Sequence, residues 1–146
     1  MIYDDAAVHY NGDFPPNTPQ LYGGTHIALF MRYCFAKGWA GPIHLKQRPA
    51  EVQGVIDGTL SATGFLFQYC NGRLTDKELN DEGNAFASEY YGRDGMYIYD
   101  YLQNFGDLMY IAPESDHSFM KQGIFMEARL RNKILTRTQY AAQQLK

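Results

Sequence analysis

The first 26 residues carry a concentration of carboxylates and imidazoles, namely Asp4, Asp5, His9, Asp13 and His26. These are the groups that bind divalent metal ions or transfer protons. Their spacing matches no established metal motif, so two interpretations stay open. In one, Asp5, His9, Asp13 and His26 form a metal or acid–base site. In the other, the aspartates cap turns and the histidines form hydrogen bonds between the N-terminal segment and the first helix.

The rest of the sequence offers little further chemistry. It has no Gly-x-Ser-x-Gly motif, and Gly23-Gly24-Thr25 lacks the remainder of a phosphate-binding loop. Cys34 and Cys70 lie in apolar surroundings without metal-binding spacing, which predicts buried free thiols. His44 and His117 are isolated, and we expect them on the surface or in loops. We therefore expect no enzymatic activity, no catalytic residues and no cofactor.

Composition and charge restrict the class of protein. The 146 residues are 45% hydrophobic and 15% aromatic, as expected for one globular domain. A net charge of −3 disfavours nucleic-acid binding. Positions 76 to 107 hold eight acidic and two basic residues, whereas positions 121 to 146 hold six basic and one acidic. These two oppositely charged segments are expected either to pair with each other or to present an acidic patch to a basic partner.

Two further patterns bear on location. The N-terminus lacks the charged and apolar regions of a signal peptide. No apolar run approaches the ~20 residues that cross a membrane. The sequence thus predicts a cytoplasmic protein without a membrane partner.

Apolar residues recur at helical spacing, and capping residues and glycines mark the helix ends. Residues 1–22 are rich in turn formers and aromatic rings, which predicts an extended N-terminal arm. Thr25 is expected to be the N-cap of the first helix, which ends at Gly38. A second helix is predicted from Pro49 to Ile56, and a third after the cap residue Ser61.

The second half carries further signals for helix starts. Residues Thr75 to Glu78 have the form of a capping box. Asn80 or Asp81 is expected to cap the next helix, and Asp94 the one after it. A basic C-terminal helix is predicted over residues 115–146. The whole chain is therefore predicted to be all-α, one domain of about six helices behind the arm.

Several motifs resemble a known family. The first group is Tyr3-Asp4-Asp5-Ala6, His9-Tyr10, Gly12-Asp13-Phe14-Pro15, Thr25-His26-Ile27 and Gly38-Trp39. The second group is Tyr69-Cys70-Asn71-Gly72-Arg73-Leu74-Thr75-Asp76, Leu79-Asn80-Asp81-Glu82-Gly83-Asn84-Ala85-Phe86-Ala87 and Tyr90-Tyr91. Over roughly residues 3–105 the chain resembles a family of small bacterial proteins of unknown function. The resemblance implies no catalytic residues, and it leaves the basic tail after Phe119 unmatched.

Such families are similar in size to immunity proteins, which neutralise a toxin. We therefore expect a protein-binding module, an antitoxin-like immunity protein that binds a cognate toxin or effector. Inhibitor surfaces combine aromatic anchors with matched charges. The candidate contact residues are Asp76, Glu78, Asp81, Glu82, Glu89, Tyr90, Asp94 and Tyr97. The alternatives are a small metal-dependent or acid–base enzyme that uses the Asp/His cluster, and a homodimer formed through the last helix.

Overall fold

Helices make up most of the chain in the computed structural model, which describes residues 1–113, 125–131 and 136–145. The described α-helices are α1 (Ala6–Tyr10), α2 (Thr25–Ala36), α3 (Pro42–Gln47), α4 (Pro49–Asp57), α5 (Ala62–Tyr69), α6 (Asp81–Tyr90), α7 (Tyr97–Asn104), α8 (Phe125–Arg131) and α9 (Arg137–Gln144). Two short 3₁₀ helices span Gln20–Gly24 and Asp76–Glu78, and two short strands are β1 (Ile2–Asp5) and β2 (Arg73–Thr75). The predicted helical fold is confirmed, with a small sheet added to it.

Helix α2 is the centre of the core. Every residue from Thr25 to Phe35 is buried. The ring of Phe30 packs against Phe86 and Tyr97, with centroids 5.7 and 5.1 Å away. Such ring pairs add specific geometry to the burial of apolar area. Helices α4, α5, α6 and α7 therefore pack around α2.

The helix ends follow local chemistry at most positions. Ser61 caps α5, Asn80 caps α6, and Thr75 forms its predicted capping box with Glu78. The predicted cap at Thr25 is wrong: Gly24 is the N-cap, and the Thr25 hydroxyl donates to the Ile111 carbonyl at 2.6 Å.

The predicted cap at Asp94 is also wrong. Helix α7 begins at Tyr97, after Met96, without a side-chain cap. Asp94 instead lies near α9, where its carbonyl accepts from the Arg137 amide at 2.7 Å. Helix α3 was not predicted either; Pro42 opens it at a position where no amide donor is needed.

The predicted extended arm over residues 1–22 is interrupted by helix at Ala6–Tyr10 and from Gln20 onward, while Ile2–Asp5 is an extended strand. Strand β1 pairs antiparallel with β2, with Ile2 opposite Thr75 and Asp5 opposite Arg73. Helix α1 follows directly, because the Asp5 side chain accepts the Ala7 amide at its N-terminus. The first residues are thus part of the folded domain, and the pairing joins them to Arg73–Thr75.

The predicted C-terminal helix over 115–146 is only partly described, since 114–124, 132–135 and 146 lie outside the described residues. Thr136 has an extended backbone (φ −75°, ψ 165°) and caps α9. Helices α8 and α9 are therefore separate, and the prediction of one continuous helix is wrong. Among the described helices, none has the length and apolar composition required to cross a membrane.

Candidate metal centre

One aspartate and two histidines meet where β1, α1 and α2 pack together. Oδ1 of Asp4 lies 2.8 Å from Nε2 of His9, and Oδ2 of Asp4 lies 3.1 Å from Nε2 of His26. The two imidazole centroids are 4.5 Å apart and their planes are nearly perpendicular. Both rings therefore direct the same nitrogen at a single carboxylate.

The Asp4 carboxylate accepts four hydrogen bonds. Besides the two imidazoles, Oδ1 accepts the Asp5 amide at 2.8 Å and Oδ2 accepts a hydrogen bond from the Tyr91 hydroxyl. Burial raises the pKa of Asp4, but the hydrogen bonds from His26 and His9 outweigh burial and hold it well below its ordinary value. Asp4 is therefore a partly buried, ionised carboxylate.

His26 is the most enclosed member of the centre, with a side chain 0% exposed. Burial lowers its pKa despite the opposing effect of Asp4, so the ring is neutral at neutral pH. A neutral ring that donates from Nε2 to Asp4 leaves Nδ1 as an acceptor. Nδ1 is buried and forms no hydrogen bond with the described part of the chain.

His9 connects the centre to the segment after α7. Its Nδ1 lies 2.9 Å from the Tyr110 hydroxyl. The Tyr110 ring also packs against Phe14, at 4.7 Å between centroids. Asp4, His9 and Tyr110 consequently form a hydrogen-bonded chain of carboxylate, imidazole and phenol.

Two of the four residues of the alternative Asp/His site, Asp5, His9, Asp13 and His26, meet in this centre. His9 and His26 are brought together, but Asp5 and Asp13 are not part of the centre. Asp5 caps α1 and accepts from Nε of Arg73 at 3.0 Å. Asp13 is exposed in the loop after α1. Asp4 takes the place of Asp5, because successive side chains in a strand point to opposite faces.

Comparison with known proteins places the chain in a family. The family model of DUF7832, a domain of unknown function, matches residues 2–112. The chain belongs to this family. No curated protein and no solved structure matches it significantly. The matched region contains all of Asp4, His9, His26, Tyr91 and Tyr110, whereas α8 and α9 lie outside it.

The DUF7832 chain contains a second buried group, formed by His44, Cys70 and Glu78. Nε2 of His44 lies 3.8 Å from Sγ of Cys70 and 3.6 Å from Oε1 of Glu78. The prediction that His44 is a surface or loop residue is wrong, since it is only 2% exposed. His117 lies outside the described residues.

This second group is less suited to a metal ion than the first. A guanidinium only donates, so Arg48, whose Nη1 lies 3.0 Å from Nδ1 of His44, keeps the ring proton on Nε2. Burial raises the pKa of the Cys70 thiol, as it does for Cys34, so both remain protonated. The predicted buried free thiols are confirmed. The group serves to join α3, α5 and the capping box.

The predicted partner surface of the DUF7832 chain is only partly at the surface. Glu78, Tyr90 and Tyr97 are buried, so they cannot contact a partner. Glu78 completes the capping box, and the Tyr90 hydroxyl donates to Asp100. Asp94 is half-exposed. The remaining predicted residues are exposed, and they are Asp76, Asp81, Glu82 and Glu89.

Some acidic and basic residues of the two oppositely charged segments contact each other within the fold. Arg129 of α8 binds Asp100 of α7 through two hydrogen bonds of 2.8 Å. Nε of Arg137 lies 3.8 Å from Oδ1 of Asp94. These contacts favour the interpretation that the acidic and basic segments pair with each other.

Proposed function

We propose that this chain binds a divalent transition-metal ion, Zn²⁺, through Asp4, His9 and His26. The observation that supports it is the convergence of three ligand atoms, all within 4.8 Å of one another. Zinc sites with three protein ligands commonly combine histidines with one carboxylate, and they keep a coordination position open. The distances from Asp4 to the two nitrogens require only a small separation of the side chains to admit an ion.

The charge states of the ligands support the same proposal. Metal ligands must be deprotonated, and Asp4 is ionised while His26 is neutral. With an ion on Nε2, each ring carries its proton on Nδ1. For His9 that proton points at the Tyr110 oxygen, 2.9 Å away. A ligating histidine is usually held by such a bond from its other nitrogen.

Tyr91 supports the proposed site without being a metal ligand. Its hydroxyl holds Oδ2 of Asp4, and burial raises its pKa so that it remains a donor. Tyr91 thus orients the carboxylate that both histidines face. When bound, Zn²⁺ supplies Lewis-acid chemistry, which makes metal-assisted hydrolysis the reaction class to assay first.

A titration of the full chain with Zn²⁺ tests the proposal, because Asp4 and Asp5 provide a matched pair of variants. We expect one ion per chain, and a loss of more than ~100-fold in affinity for Asp4→Asn, since even residues that only support a ligand contribute 10- to 100-fold. Asp5→Asn should bind as the unmodified chain does, because Asp5 contacts Ala7 and Arg73 instead.

Two results would contradict it. One is the absence of stoichiometric binding to the folded, unmodified chain. The other is equal affinity of the Asp4→Asn variant together with a loss in His44→Gln, which would assign the ion to the second buried group. Circular dichroism of each variant checks that it is folded.

We also propose a second candidate, an immunity-type protein that binds a basic toxin. The observation that favours it is the exposed face of α6, whose positions Asp81, Glu82, Ala85, Ser88 and Glu89 carry three carboxylates and no cation. Complementary charge of this kind accelerates association and selects partners.

Co-expression with the product of a neighbouring gene, followed by affinity capture, tests this candidate. Replacing the three α6 carboxylates by lysine should abolish capture, whereas Asp4→Asn should not affect it. Capture that survives the lysine replacements would remove the α6 face from consideration. Zinc binding and toxin binding are thus separable by variants.

A further inference from the structure

A cleft of about 460 Å³ opens beside the Asp–His centre. Its walls are β1, the turn between α6 and α7, and the starts of α7 and α9. Asp4 and Tyr91, which belong to the centre, also line the cleft. The volume is in the range of small-molecule sites. The cleft and the Asp–His centre therefore share two residues.

Two arginines give this cleft an unusual charge for an acidic protein. Arg93 and Arg137 both line it, while the chain as a whole carries −3. Arg93 forms no ion pair with any residue in the described ranges. Arg137 lies 3.8 Å from Asp94, which is the outer limit of an ion pair. Both guanidiniums retain donors for a ligand.

Backbone contacts hold the two arginines at the cleft. Nη2 of Arg137 donates to the Arg93 carbonyl at 2.6 Å, and the Arg137 amide donates to the Asp94 carbonyl at 2.7 Å. These bonds fasten the start of α9 to the turn after α6. The fold thus sets the backbone positions of both residues at the cleft. A planar guanidinium pairs well with carboxylate and phosphate groups.

The remaining wall is apolar. Ile2, Tyr3 and Ile98 also line the cleft. We infer that the cleft binds a small organic anion, with its carboxylate or phosphate on Arg93 and Arg137 and its apolar body against Ile2 and Ile98. The opposite end of this molecule reaches Asp4. As a ligand of the same centre it rests on the proposed function, but the arginine contacts can be measured without metal.

Calorimetric titration of the metal-free full chain with phenyl phosphate and with benzoate tests the inference. The two probes distinguish a phosphate from a carboxylate ligand, and benzyl alcohol is the neutral control. We expect one of the anions to bind, and Arg93→Gln and Arg137→Gln each to weaken it about tenfold, since a charge-assisted hydrogen bond has that order of effect. Arg73→Gln, whose arginine pairs with Asp5 outside the cleft, should bind normally.

The inference is overturned if neither anion binds, if benzyl alcohol binds equally well, or if Arg73→Gln weakens binding as much as Arg93→Gln does. Repeating the anion titration in the presence of Zn²⁺ distinguishes a failure of the anion site from a failure of the metal site. A bound cation beside Asp4 should strengthen anion binding in the unmodified chain and have no effect in Asp4→Asn. Anion binding that is insensitive to Zn²⁺ would count against the metal site and leave the anion site intact.

Discussion

Asp4 and His26 are 22 positions apart in the chain, yet Oδ2 of Asp4 lies 3.1 Å from Nε2 of His26. The contact joins β1 to the buried helix α2. Asp4 belongs to β1, which pairs with β2 and sets Asp4 opposite Leu74. The candidate centre is therefore a property of the folded chain, and its variants report on both stability and binding.

The Tyr91 hydroxyl should contribute to stability through Asp4. Tyr91→Phe leaves the ring in the core but removes one of the four donors to the carboxylate. A hydrogen bond to a charged group contributes about 1.5–3 kcal/mol, so we expect a loss of that order in the free energy of unfolding. Urea denaturation measures it.

The matched control is Tyr99→Phe. Tyr99 is 38% exposed, and its hydroxyl contacts only the Tyr140 hydroxyl, at 3.4 Å, among the described residues. We expect a change within about 0.5 kcal/mol. Equal effects of the two variants would show that the Asp4–Tyr91 bond contributes nothing specific.

Removal of the Arg129 guanidinium should release α8 from α7. Asp100 is 8% exposed, and among the described residues the Tyr90 hydroxyl at 2.6 Å is the only side-chain donor that its carboxylate keeps without Arg129. Breaking a buried pair by removing one partner costs about 3–5 kcal/mol, so a loss near 3 is expected for this partly exposed one. Thermal denaturation of Arg129→Gln measures the loss.

Arg137→Gln is the control for that experiment. Its partner Asp94 is 3.8 Å away and both side chains are about half-exposed or more. Exposed pairs of this kind contribute about 0–1 kcal/mol. If Arg137→Gln lost as much stability as Arg129→Gln, the Arg129–Asp100 pair would contribute no more than an exposed ion pair does.

Glu78 should make stability depend on acid pH. Burial raises its pKa, but the hydrogen bonds from His44 and Thr75 outweigh burial and place it below the ordinary value of 4.5. A carboxylate with a depressed folded pKa stabilises the fold above its unfolded pKa, and the contribution disappears as the pH falls through the folded value. The stability difference between the unmodified chain and Glu78→Gln should therefore be constant near neutral pH and shrink below about pH 4.5.

Denaturant unfolding between neutral pH and pH 3 follows that difference. Glu89→Gln, at an exposed position of α6, controls for the loss of one negative charge. If the Glu78→Gln difference stayed constant to the lowest pH, the capping box and His44 would not depend on an ionised carboxylate.

Two glycines should respond to alanine in opposite directions. At Gly41 a Cβ would lie 2.2 Å from the Lys77 carbonyl oxygen, so the backbone next to the capping box would have to move. At Gly64, inside α5, a Cβ meets only Ser61 at ordinary contact distance. We expect Gly64→Ala to stabilise by about 0.5–1 kcal/mol and Gly41→Ala to destabilise by more than that. The melting temperatures of the two variants measure these changes in stability. A stabilising Gly41→Ala would show that position 41 is not in tight contact with the Lys77 carbonyl oxygen.

Local rules predicted the helices well, since a cap such as Ser61 or Asn80 needs only its own neighbours. They failed where distant segments meet. Sequence reasoning treated Asp4 and Asp5 as one cluster, because nothing local shows that Ile2–Asp5 pairs with Arg73–Thr75. Once β1 is a strand, its alternation assigns Asp4 to the histidines and Asp5 to Arg73.

Three of the eight predicted contact residues, Glu78, Tyr90 and Tyr97, lie in the interior for a related reason. Charge counting treated all carboxylates between positions 76 and 107 as surface groups, although Glu78 and Asp100 are buried and paired. Tyr90 and Tyr97 lie on the buried side of their helices. The Tyr90 hydroxyl donates a hydrogen bond to Asp100, and the Tyr97 hydroxyl donates one to the His26 carbonyl. Composition alone cannot separate such tyrosines from those of a recognition surface.

The most direct measurement is a crystal structure of the full chain grown with Zn²⁺, with anomalous data collected on both sides of the zinc absorption edge. We expect a zinc-specific peak between Oδ1 or Oδ2 of Asp4 and the Nε2 atoms of His9 and His26, at about 2.0–2.2 Å from each ligand atom. A peak at His44, Cys70 and Glu78 instead, or the four donors still bound to Asp4 with no peak beside them, would contradict it.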